Sequence, residues 1–217
     1  MRRWSNRKLG TLICAWGLGT AGAFWQYEGR YFRPVERPAG AAELLPEHRP
    51  APPLSTLKTS QGTITLSGPG PVTLLNFWNP SCPCSRFMEA HVRKLMEEYG
   101  PREVRFVTIM ACGETDQAQK EALARWQSRG LPVSAAVPDT DSALARRFGV
   151  WAAPAAVILD REGRIVYVGA YNAARYCDDS HSAWAAQALT ATLEGKKPSL
   201  AHAPFYGCQV TPGAAAR

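Results

Sequence analysis

No stretch of this 217-residue chain limits its fold more than residues 72–78, an apolar run ending in Asn76-Phe77-Trp78 and followed at once by Asn79-Pro80-Ser81-Cys82-Pro83-Cys84-Ser85. A run without polar alternation predicts a central strand covered on both faces. Beyond the cysteines, Phe87, Met88, His91, Val92, Leu95, Met96 and Tyr99 recur at helical spacing, and Gly100-Pro101 supplies a stop. A strand, a tight turn and a helix in that order put Cys82 and Cys84 at a helix N-terminus. There, unpaired backbone N–H groups and the helix dipole favour a thiolate, the nucleophilic form of cysteine. Cys82 lies further outside the first turn and is expected to be the exposed, attacking sulfur.

Further along, residues 104–110 read as a second buried strand and 115–128 as a helix, with Gly130 and Pro132 breaking the chain after it. A short strand is expected within 133–137. Asp141 is expected to cap a brief helix running to Phe148, which Gly149 ends. Strands at 155–159 and 164–168 flank a turn at 160–163, making a hairpin, and a last helix spans 182–193. The tail beyond Pro198 shows no periodicity. Units of strand, helix and strand followed by a hairpin and a helix predict an α/β fold, a mixed sheet with helices on both faces.

The Asn76-Phe77-Trp78 strand end before the cysteines, the Asp160-Arg161-Glu162-Gly163-Arg164 turn and Pro154 at the start of a strand resemble the thioredoxin superfamily. Within it, the chain is most similar to the membrane-anchored thiol–disulfide interchange and AhpC/TSA-like proteins of the bacterial envelope, across residues 54–193. The resemblance implies a thioredoxin fold and makes Pro154 the family's cis-proline, with the Ala153-Pro154 backbone facing the cysteines and pairing with substrate. Trp151, just upstream, either lines that same groove or belongs to the core. The implied activity is dithiol–disulfide exchange with protein thiols and disulfides: Cys82 forms a mixed disulfide and Cys84 resolves it. Such chemistry is carried by sulfur alone and requires no cofactor and no resident metal.

Two departures from the family matter. One residue, Pro83, separates the cysteines where two are usual, so a Cys82–Cys84 bond would close a small, strained ring; strain of that kind points toward an oxidant or isomerase rather than a reductant. Asn76 stands where thioredoxins carry a buried acid, and an amide cannot take a proton, so Cys84 would need another base.

The chain is expected to divide into a basic stub (1–8), a membrane anchor or signal peptide (9–27), a spacer (28–53), the thioredoxin-like domain (54–195) and a tail (196–217). Residues 9–25 carry no charge and follow Arg2, Arg3, Arg7 and Lys8, so by the positive-inside rule the domain is expected on the periplasmic side of the inner membrane, held by one transmembrane helix. The alternative is a cleaved signal peptide, for which Ala21-Gly22-Ala23 would be the cleavage site. The spacer is rich in Pro and Ala and reads as extended. Residues 1–37 hold seven Arg or Lys against two Glu, which leaves only +2 of the formal +7 for the rest of the chain. A nearly neutral domain without a basic face argues against nucleic acid as a partner.

Four cysteines remain. Cys14 falls inside the apolar segment. Cys177 and Cys208 are expected to pair in an oxidising compartment and pin the tail to the domain. Cys112 is either a buried small residue or a third redox partner. A different class of function is Cu(I) binding or delivery by the two thiolates, with His91 or His181 as further ligands. Peroxidase chemistry is disfavoured because Asn79 stands where peroxiredoxin-like sites usually place Thr or Ser. A non-enzymatic binding scaffold is the remaining alternative.

Overall fold

The computed structural model describes residues 6–29, 31–39, 57–59, 62–102, 104–130, 135–177 and 179–210. Two compact units divide the chain, Met1–Arg33 and Pro34–Arg217.

The first unit contains helix α1, Asn6–Gly29. A helix was expected here, but the expectation that it spans a bilayer is corrected. Among the described residues no helix is long and apolar enough to cross a membrane. Gly10, Gly17, Gly19 and Gly22, with Thr11 and Thr20, dilute the apolar content of a segment that already sits at the lower length limit.

The second unit is built on a five-stranded sheet. A small antiparallel hairpin precedes it, β1 (Leu57–Thr59) with β2 (Gly62–Ile64). The chain then runs β3 (Thr73–Trp78), α2 (Pro83–Tyr99), β4 (Arg105–Cys112), α3 (Asp116–Ser128), β5 (Ala135–Thr140) and α4 (Ala143–Arg147). It closes with β6 (Ala152–Ala153), β7 (Ala155–Leu159), β8 (Ile165–Gly169), α5 (Trp184–Leu193) and β9 (Cys208–Gln209). The sheet order is β5-β4-β3-β7-β8, with β3 parallel to β4 and antiparallel to β7. This is the expected mixed sheet. Pro138, which cannot donate to a ladder, is accommodated because β5 is an edge strand.

Every residue of β3 is buried, the polar Thr73 and Asn76 included, as a central strand of largely apolar character requires. Leu74 and Trp78 face a core shared with Met88, Val92 and Leu95 of α2, Trp126 of α3 and Leu189 of α5. Leu75 and Phe77 face the other core, with Ile109, Phe148 and Leu57. Thr115 caps α3 as a side-chain acceptor for Ala118 N–H at 3.2 Å.

Two expectations change here. The cap of α4 is Asp139, not Asp141. The Asp139 carboxylate accepts from the Leu144 and Ala145 N–H groups at 2.8 and 3.0 Å, and burial holds its pKa above the usual carboxylate range despite those bonds. The spacer is not wholly extended away from the domain, since Val35 N–H donates to the Phe205 carbonyl at 2.7 Å. The described part of the tail runs along the outer edge of β8, where Val168 N–H donates to Ala201 O and Ala203 N–H to Val168 O. Residues 40–56, 131–134 and 211–217, with most of the spacer, the expected domain start near Leu54 and part of the 133–137 strand, lie outside the described residues.

Candidate functional site

The cysteine turn is shaped by its own polar residues. Asn79 Oδ1 accepts from Ser81 N–H at 2.9 Å, the Asn79 carbonyl accepts from Cys82 N–H at 3.1 Å, and Asn79 N–H reaches Ser85 Oγ at 3.3 Å. Cys82 is thereby set as the N-cap of α2 in extended conformation, φ −89° and ψ 119°, with Pro83 at the first helical position, where its missing N–H costs nothing. Cys84 follows on the first turn. This is the placement expected from the sequence.

The bonding and exposure differ from expectation. Cys82 forms a disulfide with Cys208, 126 residues away, with a Cα–Cα distance of 6.0 Å. Cys84 is a free thiol. The sulfurs of Cys82, Cys84 and Cys208 all lie within 4.8 Å of one another. Cys82 is 1% exposed and Cys84 3%, so the expected exposed attacker is covered in this disulfide-bonded form. Against its sulfur lie Cys208 of the tail and the Ala153 carbonyl oxygen.

The expected Cys177–Cys208 bond is corrected as well. Cys177 is free, its sulfur 3.4 Å from Ser182 Oγ. The loop after β8 returns Cys177 toward α5, while the tail carries Cys208 along β8 and across to β6, so the two part company.

Ala153 and Pro154 sit where the resemblance implied. The Ala153-Pro154 peptide is cis, and the Ala153 carbonyl oxygen is 3.5 Å from Cys82 Sγ. With the sulfur in a disulfide this is a contact without a proton; as a thiol, Cys82 could donate across it. The edge of β6 is occupied by the chain itself. Strand β9 pairs with it antiparallel, Ala153 opposite Cys208 and Ala152 opposite Gln209, and Val210 N–H donates to Trp151 O at 2.8 Å.

Trp151 does not line an open groove. Its ring packs on Phe205 at a centroid distance of 4.2 Å and its Nε1 donates to Val35 O at 3.1 Å, so spacer and tail both cover it. Asn76 is 1% exposed and held at both ends of its amide: Tyr171 donates to its Oδ1, and its Nδ2 donates to Thr108 Oγ1 at 3.4 Å. It has no proton acceptor to offer Cys84.

Cys112 ends β4 beside a small depression that Pro80, Ser81, Gly113 and Glu121 also line. Burial, then the nearby Asp139 charge, pushes its thiol pKa upward, which suits a resting thiol rather than a reactive one. It is not part of the three-sulfur cluster. Neither expected histidine joins that cluster. The His91 ring stacks edge-on against Tyr171, and exposed His181 approaches Asp179 Oδ1 at 3.2 Å. The functional residue that sequence reasoning placed wrongly is Cys208. Its only local signal is the preceding Gly207, which a cysteine pinned against another backbone would require.

The family model of the domain of unknown function DUF6436 matches residues 53–210. The thiol:disulfide interchange protein DsbE of Allochromatium vinosum is 30% identical over 155 residues, spanning 69% of this chain and 78% of that protein. Among solved structures, an uncharacterized conserved protein from Geobacillus kaustophilus superposes with a TM-score of 0.66 at 22% identity, covering 84% of this chain and 100% of its own. A thioredoxin-like protein solved in solution in its oxidized form gives a TM-score of 0.52 at 18% identity, covering 69% and 97%. At those identities the two structures show the fold, a thioredoxin-like one.

Proposed function

Because this chain belongs to the DUF6436 family and to the thioredoxin-fold thiol:disulfide interchange proteins of the DsbE kind, we propose that it exchanges disulfides with protein substrates in the bacterial envelope, with Cys82 as the exchanging sulfur. One observation carries the reading. Cys82, at the N-terminus of α2, already holds a disulfide to a cysteine on an extended strand paired beside the cis Ala153-Pro154 peptide. That is the arrangement of a mixed disulfide with a bound partner strand. When the bond is reduced, the free N–H groups of the first helical turn stabilise the departing Cys82 thiolate.

An envelope location is supported by the basic start of the chain, by the large apolar side chains exposed on α1, such as Leu12, Ile13, Trp16 and Trp25, and by a cysteine pair suited to an oxidising compartment. The test of the activity is reduction of insulin disulfides by dithiothreitol. The full chain is expected to accelerate it and Cys82→Ser to abolish the acceleration with the fold intact; a wild-type rate equal to the uncatalysed one sinks the reading. Labelling intact spheroplasts with a membrane-impermeant maleimide after mild reduction tests the location.

The three sulfurs within 4.8 Å favour a second reading, Cu(I) binding by the reduced protein, since thiolates are soft ligands. Retention of one equivalent of copper by anaerobically reduced protein, against a competing Cu(I) chelator, would support it. Loss of all copper would remove it.

A further inference from the structure

Resting on the reading of Cys82 as the exchanging sulfur, we propose that Cys208, and not Cys84, is the resolving cysteine, delivered by a tail strand that occupies the substrate track beside Pro154. Four observations converge on it.

The bond present is Cys82–Cys208, while Cys84 stays a thiol although its sulfur is within 4.8 Å of both partners. Cys82 is extended and Cys84 helical, with Pro83 between them, so bonding these two would distort the turn that Asn79 holds. Cys208 reaches Cys82 with no such distortion of α2. Its strand also uses the Ala152–Ala153 backbone that an extended substrate segment would otherwise pair with.

The tail is built to lie there. Gly207 has φ +140°, and a Cβ at that position would come within 2.0 Å of the Ala153 carbonyl oxygen. Only glycine allows that approach. Upstream, Phe205 is 1% exposed against Trp151, and Ala203 bonds to β8, so the strand has an anchor on each side of the cysteine once Val210 is counted.

The half-reaction balances with the reduced protein as electron donor, and a thiol reductant regenerates the dithiol afterwards. In the reduced protein, Cys82 thiolate attacks one sulfur of a substrate disulfide. The Cys82–substrate bond forms, the substrate S–S bond breaks, and the other substrate sulfur leaves as thiolate and takes a proton from water. Cys208 thiolate then attacks Cys82 Sγ. The Cys82–Cys208 bond forms, the mixed disulfide breaks, and the second substrate sulfur leaves. Two electrons pass from Cys82 and Cys208 to the substrate, and the reverse sequence oxidises a substrate dithiol. The tail strand and a substrate strand compete for one edge, so resolution and product release are a single event.

The test uses the full chain with glutathione disulfide as probe, acid quench, alkylation and intact mass with peptide mapping. Wild type and Cys84→Ser are expected to reach the Cys82–Cys208 disulfide with little glutathione left on Cys82. Cys208→Ser is expected to hold the Cys82–glutathione adduct at a level about tenfold or more higher. Gly207→Ala keeps every thiol but pushes the tail off β6, and is expected to raise the adduct several-fold. Adduct accumulating in Cys84→Ser instead, or clearing in Cys208→Ser at the wild-type rate with a Cys82–Cys84 bond, overturns the proposal. A folded Cys208→Ser protein whose Cys82 never takes up glutathione overturns the exchange reading of Cys82 itself, and this proposal with it.

Discussion

Tyr171 donates its hydroxyl to Asn76 Oδ1 at 2.9 Å across the buried layer between β3 and the loop that follows β8. Both residues are 1% exposed, so the amide that replaces the usual acid beneath the cysteine turn serves as a structural tie. Tyr171→Phe strands a buried acceptor and is expected to cost about 1–3 kcal/mol in urea unfolding. The rate at which dithiothreitol opens Cys82–Cys208 should stay at the wild-type value, because Asn76 supplies no proton to the sulfurs.

Phe205 anchors the tail by packing on Trp151 at 4.2 Å. Phe205→Ala should remove about 3–5 kcal/mol of stability, as truncating a buried aromatic does. It should also speed reduction of Cys82–Cys208, measured by loss of the disulfide mass under limiting dithiothreitol. A stability loss with unchanged reduction kinetics would mean that the tail shields the bond by some other contact.

Gly169 lets the tail run against β8. At φ +156° a Cβ there would fall 2.6 Å from both the Cβ and the carbonyl oxygen of Ala203. Gly169→Ala is therefore expected to displace residues 201–203, and faster amide hydrogen exchange at Val168 and Ala203, which now bond across this seam, reports it.

Cys177 and Cys208 should behave oppositely. Cys177→Ser removes no disulfide and is expected to change stability by no more than about 0.5 kcal/mol. Cys208→Ser opens a loop with a sequence separation of 126 and should cost about 2–5 kcal/mol relative to the oxidised wild type. Thermal melts of both variants, with and without reductant, make the comparison.

Stability should fall at alkaline pH. Burial holds the hydroxyls of Tyr167 and Tyr171 neutral well beyond the ordinary tyrosine range. Unfolded tyrosine ionises near pH 10, so above that the native state carries more protons than the unfolded state and each rise in pH favours unfolding. The stability present below about pH 10 is lost by about 1.4 kcal/mol per pH unit for each buried tyrosine until its folded pKa is reached. Urea midpoints measured from about pH 8 to about pH 11 should stay level and then drop, with a shallower drop in Tyr171→Phe.

The double burial of β3, the helix after the cysteines and the β7–β8 hairpin were legible in the chain because each is written in local periodicity: a largely apolar run, a helical stripe, two short apolar segments about a turn. The placement of Cys82, Cys84 and Pro154 was legible through motif. Asp139 was missed as the cap of α4 because it lies four residues before the helix, beyond the usual capping position, and reaches it only through the geometry of β5 and the left-handed Asp141 and Ser142. The uncharged run of 9–25 reads as a membrane span in sequence, yet its glycines and threonines leave no helix among the described residues long and apolar enough to cross a membrane.

By itself, then, the amino-acid order determined which segments become strands and helices, since burial and periodicity act over a few neighbouring residues. It determined likewise that two cysteines start a helix. Which sulfur bonds to Cys82 was decided only in three dimensions. Chain spacing makes Cys84 the near neighbour and Cys208 the remote one, and the order is reversed by the tail's docking along β8 and β6, a balance of backbone hydrogen bonds, one buried phenylalanine and one glycine that no local pattern records.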